Sequence, residues 1–85
     1  MPLTIREFQK KIYDAYFERD NARGLDRTFM WFVEEVGELA KAIKNGGIEN
    51  IEEEIADVLA WLLSIANLLK VDAEKAVKRK YQNLF

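Results

Sequence analysis

The sequence contains no cysteine and no histidine, and these two absences exclude several kinds of functional site. Without cysteine, the chain can form no disulfide and offers no thiolate nucleophile. Without histidine, it lacks the commonest general base and the commonest zinc ligand. Any metal site must therefore use oxygen ligands, and any catalytic base must be a carboxylate or a metal-bound hydroxide.

Long apolar runs and a positive charge balance are also missing. The longest apolar run is far shorter than the roughly 20 residues that span a bilayer, and the opening MPLTIREFQK lacks the apolar core of a signal peptide. The formal net charge of −2 gives no general attraction to nucleic acid. We therefore expect a soluble cytoplasmic protein that binds neither membrane nor nucleic acid.

Apolar residues, by contrast, are abundant, since 49% of the 85 residues are hydrophobic. This length predicts one domain, residues 1–85, and a chain this short buries only about 60–65% of its unfolded surface. The excess of apolar residues fits either an unusually rich core or an interface between copies of the chain. We favour a homo-oligomer, because small helical hairpins seldom cover both of their faces.

Apolar residues at helical spacing predict an all-α chain of four helices without strands. The first helix begins at a capping box, Thr4 with Glu7, and runs to about Arg19. The stretch RDNARGLDR, residues 19–27, is rich in Asn, Asp and Gly and predicts a loop. The second helix then starts near Thr28 and ends at KNGG, where glycine provides a left-handed cap.

The third and fourth helices follow this Gly-Gly pair. Asn50 with Glu53 predicts a capping box for the third helix, which continues through Leu69. Asp72 is the predicted N-cap of the last helix. Because short links join antiparallel helices, the second and third helices are expected to form the central antiparallel hairpin of a four-helix bundle.

This hairpin carries carboxylates on both of its helices. We take Val36 and Ile55 as the centres of the inward apolar faces. A rotation of about 100° per residue then places two acidic residues of each helix on matching flanks of the hairpin. The four carboxylates expected to converge are Glu35, Glu38, Glu54 and Asp57.

Converging carboxylates repel, and two like charges ~4 Å apart cost roughly 4 kcal/mol at an effective dielectric of 20. Protonation, Lys or Arg partners, or a divalent cation must offset that cost, and oxygen ligands suit Mg²⁺, Mn²⁺ or Ca²⁺. Trp31 and Trp61 should meet one turn farther from the loop, which suits a metal-held phosphate beside a stacked nucleobase.

The simpler alternative is a solvated acidic face with two core or interface tryptophans. Helix-start charge accounts for Glu49, Glu52 and Glu53.

The motifs EEVGE, residues 34–38, and EIAD, residues 54–57, resemble the E-E-x-x-E and E-x-x-D signature of the MazG-like nucleoside triphosphate pyrophosphohydrolases. The segments FVEEVGELAKAI, IEEEIADVLAWLLSIA and VDAEKAVKRKYQN are similar to the second, third and closing helices of that all-α superfamily. The resemblance extends from about Ile5 to Asn83. It implies a MazG-like four-helix bundle that assembles as a dimer or tetramer.

The resemblance also implies an activity and a division of roles. Such enzymes use Mg²⁺, with Mn²⁺ as an alternative, to hydrolyse nucleoside triphosphates at the α–β bond, and the expected substrates are nonstandard or deoxy nucleotides cleared from the pool. Glu34 would be catalytic, orienting or deprotonating the attacking water or holding a further metal. The implied metal ligands are Glu35, Glu38, Glu54 and Asp57. The expected substrate contacts are Trp31 and Trp61 for the base, and Arg79, Lys80 and Asn83 for phosphate or sugar.

Two alternatives stay open. A phosphoribosyl-ATP pyrophosphatase would share the motif and the fold, and it would leave free nucleoside triphosphates untouched. A non-catalytic, metal-binding helical oligomerisation module would take up divalent metal without any affinity for nucleotides.

Overall fold

Residues 2–85, the part of the chain that the computed structural model describes, form helices and no strand. This confirms the all-α class. Among these residues no helix combines the length and the apolar character that crossing a bilayer requires. The elements are α1 (Ile5–Arg23), α2 (Leu25–Asn45), α3 (Ile48–Leu68), α4 (Ala73–Lys80) and a final 3-10 turn (Gln82–Leu84).

Three of the predicted helix ends are present. The Thr4 hydroxyl accepts a hydrogen bond from the Glu7 backbone N–H at 3.0 Å, and Asp72 caps α4 by accepting from the Lys75 N–H at 3.0 Å. Gly46 ends α2 in the left-handed conformation, with φ +77°, and its N–H bonds to the Ala42 carbonyl at 3.0 Å. These signals are local, so the sequence alone was sufficient to locate them.

The loop predicted at residues 19–27 is wrong, since α1 continues to Arg23 and α2 begins at Leu25. Only Gly24 separates the two helices, with φ +95°, a conformation that side chains with a Cβ rarely adopt. Its carbonyl accepts both the backbone N–H and the hydroxyl of Thr28, at 3.1 and 2.8 Å. The Asn and Asp residues around Gly24 therefore lie in helices.

The capping box predicted at Asn50 and Glu53 is also wrong. α3 begins at Ile48 directly after Gly47, so Asn50 lies inside the first turn. No side chain caps this end of α3. At its other end, α3 stops at Leu68, one residue before the predicted limit.

The inward faces of α2 and α3 are rotated from the predicted ones. Val36 and Ile55, their expected centres, are 42% and 53% exposed. The residue before each of them, Glu35 and Glu54, is instead partly buried where α2 packs on α3. One residue is about 100° of helical rotation, so these two carboxylates lie within the helix contact rather than on its flank.

Apolar residues on the same helix faces as Val36 and Ile55 form an exposed apolar stripe along one side of the hairpin. Each member is at least 42% exposed and recurs at helical spacing along its helix. The apolar stripe consists of Phe29, Val33, Val36 and Ile43 on α2, and Ile48, Ile55, Leu59 and Leu62 on α3. It lies on the side of the hairpin away from α1, which packs mainly on α3.

Polar contacts tie α1 to the end of α3 and the start of α4. The buried amide of Gln9 donates to Asn67 Oδ1 at 2.9 Å and to the Val71 carbonyl at 2.7 Å. Its oxygen accepts the Ala73 N–H at 2.9 Å. One side chain thus satisfies buried groups on three segments, which sets the position of α1 beside the hairpin.

Candidate metal centre

Three carboxylates meet where α2 packs on α3. Glu35 comes from α2, while Glu54 and Asp57 lie one turn apart on α3. One oxygen from each lies within 4.8 Å of the others. We refer to these three residues as the carboxylate cluster.

The electrostatics of the cluster are unfavourable as long as every member is charged. Burial, followed by the charges of Glu54, Asp57 and Glu38, raises the pKa of Glu35 above its ordinary value of 4.5. A hydrogen bond from protonated Glu35 to Glu54 acts in the same direction. Within residues 2–85, Oε2 of Glu54 is buried and has no hydrogen-bond partner.

These features fit a hard divalent cation. The donor set is oxygen only, the spacing lets three carboxylates reach one ion, and a buried carboxylate oxygen lacks a partner among the residues that the structure describes. Mg²⁺, Mn²⁺ and Ca²⁺ prefer such oxygen donors. A bound cation would neutralise the repulsion that raises the pKa of Glu35 and would give that oxygen a partner.

Glu34 and Glu38 lie beside the carboxylate cluster rather than within it. They line a cleft of about 330 Å³ together with Glu35, Trp31 and Trp61. We call this opening the carboxylate cleft. Glu38 is outside the group of three that share one 4.8 Å neighbourhood, although its charge contributes to the raised pKa of Glu35.

The two tryptophans are in contact, as the hairpin predicted. Their ring centroids are 5.6 Å apart in an edge-to-face arrangement. The Arg23 guanidinium carbon lies 4.3 Å from the Trp31 centroid and 5.2 Å from the Trp61 centroid. The Arg23 guanidinium therefore makes cation–π contacts with both indoles, and these contacts orient the rings.

Arg23 is held in place by a buried ion pair. Its guanidinium lies 3.0 Å from Asp20 Oδ1 and 3.2 Å from the Thr28 hydroxyl oxygen. The Arg23 and Asp20 side chains are only 9% and 4% exposed. These residues fell in the predicted loop and were missed, although their i, i+3 spacing is that of an ion pair on a continuous helix.

A second cleft of about 260 Å³ opens between α1 and α3. We call it the α1–α3 cleft. It meets the carboxylate cluster at Asp57 and the tryptophan pair at Trp61. Its remaining lining is Ile12, Tyr16, Arg19, Asp20, Ala60 and Ser64.

The polar residues expected near the C-terminus lie elsewhere in the single chain. Arg79 and Lys80 are exposed on α4, which packs against α1, and Asn83 lies in the following turn. None of the three lines the carboxylate cleft or the α1–α3 cleft. Their expected contact with phosphate or sugar stays a prediction, as do the roles of the other site residues.

Comparison with known proteins gives a family. The family model described as MazG nucleotide pyrophosphohydrolase domain matches residues 23–83. The matched segment begins at Arg23 and includes all three members of the carboxylate cluster. No curated protein matches the chain.

Proposed function

The chain belongs to the MazG nucleotide pyrophosphohydrolase family, and on that premise we propose that it hydrolyses nucleoside triphosphates at the α–β bond. The products are a nucleoside monophosphate and pyrophosphate. The observation that carries this proposal is the carboxylate cluster, in which a buried oxygen of Glu54 lacks a partner within residues 2–85, and burial together with like charges raises the pKa of Glu35. Such a cluster is suited to bind the cation that a polyphosphate substrate requires.

In this proposal α2 and α3 form an antiparallel hairpin that presents the ligands. Mg²⁺ or Mn²⁺, when bound, supplies charge neutralisation for the phosphates and activation of water. The residues that would hold it are Glu35, Glu38, Glu54 and Asp57. Glu38 joins them from the carboxylate cleft that it shares with Glu35.

Glu34 is the proposed general base. It is exposed and lines the carboxylate cleft beside Glu35, where it can accept a proton from a water molecule. The water oxygen forms a bond to the α-phosphorus while the bond from that phosphorus to the bridging oxygen breaks. The bridging oxygen keeps the electron pair and departs with pyrophosphate, and the proton passes to Glu34.

The α1–α3 cleft is the proposed binding site for the nucleobase of the substrate. Trp61 and Tyr16 offer aromatic surface there, and Ser64 offers a hydroxyl. Arg23 already occupies one side of the tryptophan pair, so stacking on the free side of Trp61 places the base in this cleft. The proposed substrates are nonstandard or deoxy nucleoside triphosphates, which the enzyme would remove from the nucleotide pool.

The apolar stripe is the proposed contact with a second copy of the chain. A folded monomer of 9.9 kDa should expose about 5,200 Å², whereas this chain exposes 6738 Å². The excess of about 1,500 Å² exceeds the ~800 Å² that one partner buries in a standard interface. We propose a homodimer, or a homotetramer built from it, and Val36→Asp should shift the mass measured by light scattering to that of one chain.

The activity is tested by incubating purified protein with a panel of NTPs and dNTPs. Mg²⁺ should permit release of pyrophosphate and monophosphate, and EDTA should abolish it. Glu38→Gln should remove turnover while leaving the helical circular dichroism intact. Glu52→Gln, which changes an exposed acid of α3 outside the site, is the matched control and should retain activity.

Three results would contradict the proposal. Wild-type protein without turnover on any triphosphate would do so, and turnover of phosphoribosyl-ATP alone would indicate the narrower enzyme. Divalent metal binding without metal-dependent nucleotide binding in calorimetry would indicate a non-catalytic module.

A further inference from the structure

One ridge of α2 carries a cation at each end of its acidic segment. Arg27, Trp31, Glu34, Glu38 and Lys41 follow one another at alternating steps of four and three residues, which places them along one face of the helix. Arg27 and Lys41 are each seven residues from Glu34, about 10 Å along the helix axis at 1.5 Å per residue. Spacing alone gives no reason to prefer one of these cations over the other.

The clefts distinguish the two ends. A third cleft of about 540 Å³ is lined by Arg23, Arg27, Met30, Trp31 and Glu34. We call it the arginine cleft. It shares Trp31 and Glu34 with the carboxylate cleft, so the two openings adjoin. Lys41, at the other end of the ridge, lines neither of them.

The two arginines of this cleft differ in availability. The buried ion pair with Asp20 already uses the charge of Arg23. Arg27 is exposed, and within residues 2–85 its side chain makes no salt bridge and no hydrogen bond. A guanidinium without an internal partner can donate two parallel hydrogen bonds to a phosphate group.

The availability of the cation distinguishes the arginine cleft from its neighbours. With the Asp20–Arg23 ion pair set aside, the arginine cleft has Arg27 against Glu34, and the α1–α3 cleft has Arg19 against Asp57. In addition, the Arg19 guanidinium carbon lies 4.8 Å from the Tyr16 ring centroid, so Arg19 already has a partner. The carboxylate cleft, with Glu34, Glu35 and Glu38, is wholly acidic. Of these three openings, as residues 2–85 form them, only the arginine cleft offers a polyanion a guanidinium without an internal partner.

From these observations we propose that Arg27 binds the terminal phosphates of the substrate, so that the pyrophosphate leaving group lies toward the junction of α1 and α2. This inference rests on the proposed function and adds a direction to it. The base lies in the α1–α3 cleft, the α-phosphate lies at the carboxylate cluster and the β- and γ-phosphates lie in the arginine cleft. As the bond to the α-phosphorus breaks, the bridging oxygen gains negative charge, and the Arg27 guanidinium stabilises the departing pyrophosphate.

The test measures binding of pyrophosphate and of a nucleoside monophosphate by calorimetry, each in the presence of Mg²⁺. Arg27→Ala should weaken pyrophosphate binding roughly tenfold or more, the usual range for charge-assisted hydrogen bonds. Its affinity for the monophosphate should change less than about twofold, within the range of a lost contact outside that ligand. Arg27→Lys keeps the charge without the paired donors, so it should recover part of the loss.

Two matched variants test the direction of the phosphate chain. Lys41→Ala removes the cation at the same distance on the other side of Glu34, and Arg19→Ala removes the cation of the α1–α3 cleft. Both should leave pyrophosphate affinity within about twofold of wild type. A larger loss for either variant than for Arg27→Ala would overturn the proposed direction, and unchanged pyrophosphate affinity in Arg27→Ala would overturn the role of Arg27.

Failure of the inference is distinguishable from failure of the proposed function. If wild-type protein turns over triphosphates and Arg27→Ala keeps both its KM and its pyrophosphate affinity, only the inference fails. If wild-type protein binds pyrophosphate with Mg²⁺ but hydrolyses nothing, the proposed function fails, and the variants still decide whether Arg27 holds pyrophosphate. If wild-type protein turns over triphosphates but binds no pyrophosphate in the presence of Mg²⁺, only the inference fails; if it neither binds pyrophosphate nor hydrolyses triphosphates, both fail.

Discussion

The protein contains two groups of charged residues at its helix contacts, and they differ in how far their charges are neutralised. At the junction of α1 and α2, Asp20 and Arg23 neutralise each other at 3.0 Å and satisfy their hydrogen bonds with Thr28 and with each other. Between α2 and α3, the carboxylate cluster has no internal cation, and one of its buried oxygens has no partner within residues 2–85. The charges of the balanced group offset each other within the fold, whereas those of the carboxylate cluster repel each other as long as all three are ionised.

The sharpest test of this difference is Glu54→Gln. Removing this charge should lower the rate of triphosphate hydrolysis by at least about 10³-fold, or about 4 kcal/mol of transition-state stabilisation. The physical reason is loss of the carboxylate with the unpartnered oxygen, which we propose as a metal ligand. Initial rates of pyrophosphate release measure the effect. A rate within tenfold of wild type would show that the unpartnered oxygen has no catalytic importance.

Breaking the ion pair of Asp20 with Arg23 should lower the free energy of unfolding. Asp20→Asn leaves the Arg23 charge buried and uncompensated, and breaking a buried pair in this way typically costs about 3–5 kcal/mol in the free energy of unfolding. Urea denaturation measures the loss. The double variant Asp20→Leu with Arg23→Met removes both charges and should recover much of the stability. If the double variant is no more stable than Asp20→Asn, uncompensated charge is not the cause.

Removing one charge from the carboxylate cluster should instead raise the free energy of unfolding when metal is absent. Glu35→Gln removes one of the repelling charges, so it should stabilise the metal-free protein at neutral pH. Because the pKa of Glu35 is raised in the fold, wild-type protein loses stability as its carboxyl ionises, and this penalty vanishes at low pH where both states are protonated. The advantage of the variant should therefore grow as pH rises from below 4.5 toward neutrality.

Thermal unfolding with EDTA across that pH range, for wild type and Glu35→Gln in parallel, measures the difference. The comparison of the two proteins is needed because Asp72 changes the stability with pH in the opposite direction. Hydrogen bonds from the Lys75 backbone and from Arg6 lower the Asp72 pKa, so its stabilisation is lost as pH falls. Asp72 is common to both proteins and cancels in the difference. A constant difference across the range would rule out ionisation of Glu35 as the cause.

The smallest effect is expected at an exposed ion pair. Lys10 and Asp14 form a salt bridge of 3.1 Å on α1, with side chains 75% and 57% exposed. Such pairs contribute roughly 0.5 kcal/mol or less, so Lys10→Ala should change the free energy of unfolding by no more than that. A loss comparable to that of Asp20→Asn would mean that burial does not set the importance of ion pairs in this protein.

The sequence predicted those features that depend on short-range signals. Thr4, Gly46 and Asp72 act through their own backbone neighbours, so the ends of three helices could be read from the sequence. The contact of Trp31 with Trp61 followed from the Gly-Gly link between two regular helices. Each of these features is decided by neighbouring residues or by one short link.

The errors had two origins: local signals that were misread, and outcomes that residues distant in sequence decide. Asn, Asp and Gly in residues 19–27 suggested a loop, yet α1 continues to Arg23, which pairs with Asp20 one turn before it. The apolar stripe was assigned to the core because hydrophobicity shows that a residue tends to be covered, without showing by which surface. Glu35 and Glu54 were consequently expected on the flank of the α2–α3 contact, about 100° of helical rotation from where they lie.

The brevity of the helix links also bears on how quickly the protein folds. Gly24 alone joins α1 to α2, and Gly46 and Gly47 join α2 to α3. Closing such short connections costs little chain entropy, and the most extensive helix contact, that of α2 with α3, joins successive helices, whereas α1 packs mainly on α3. Local contacts such as those of α2 with α3 are typical of helical domains that fold within microseconds to milliseconds. The acidic residues of α2 and α3 would then meet early in folding, so a divalent cation would accelerate the formation of the hairpin as well as stabilise its final state.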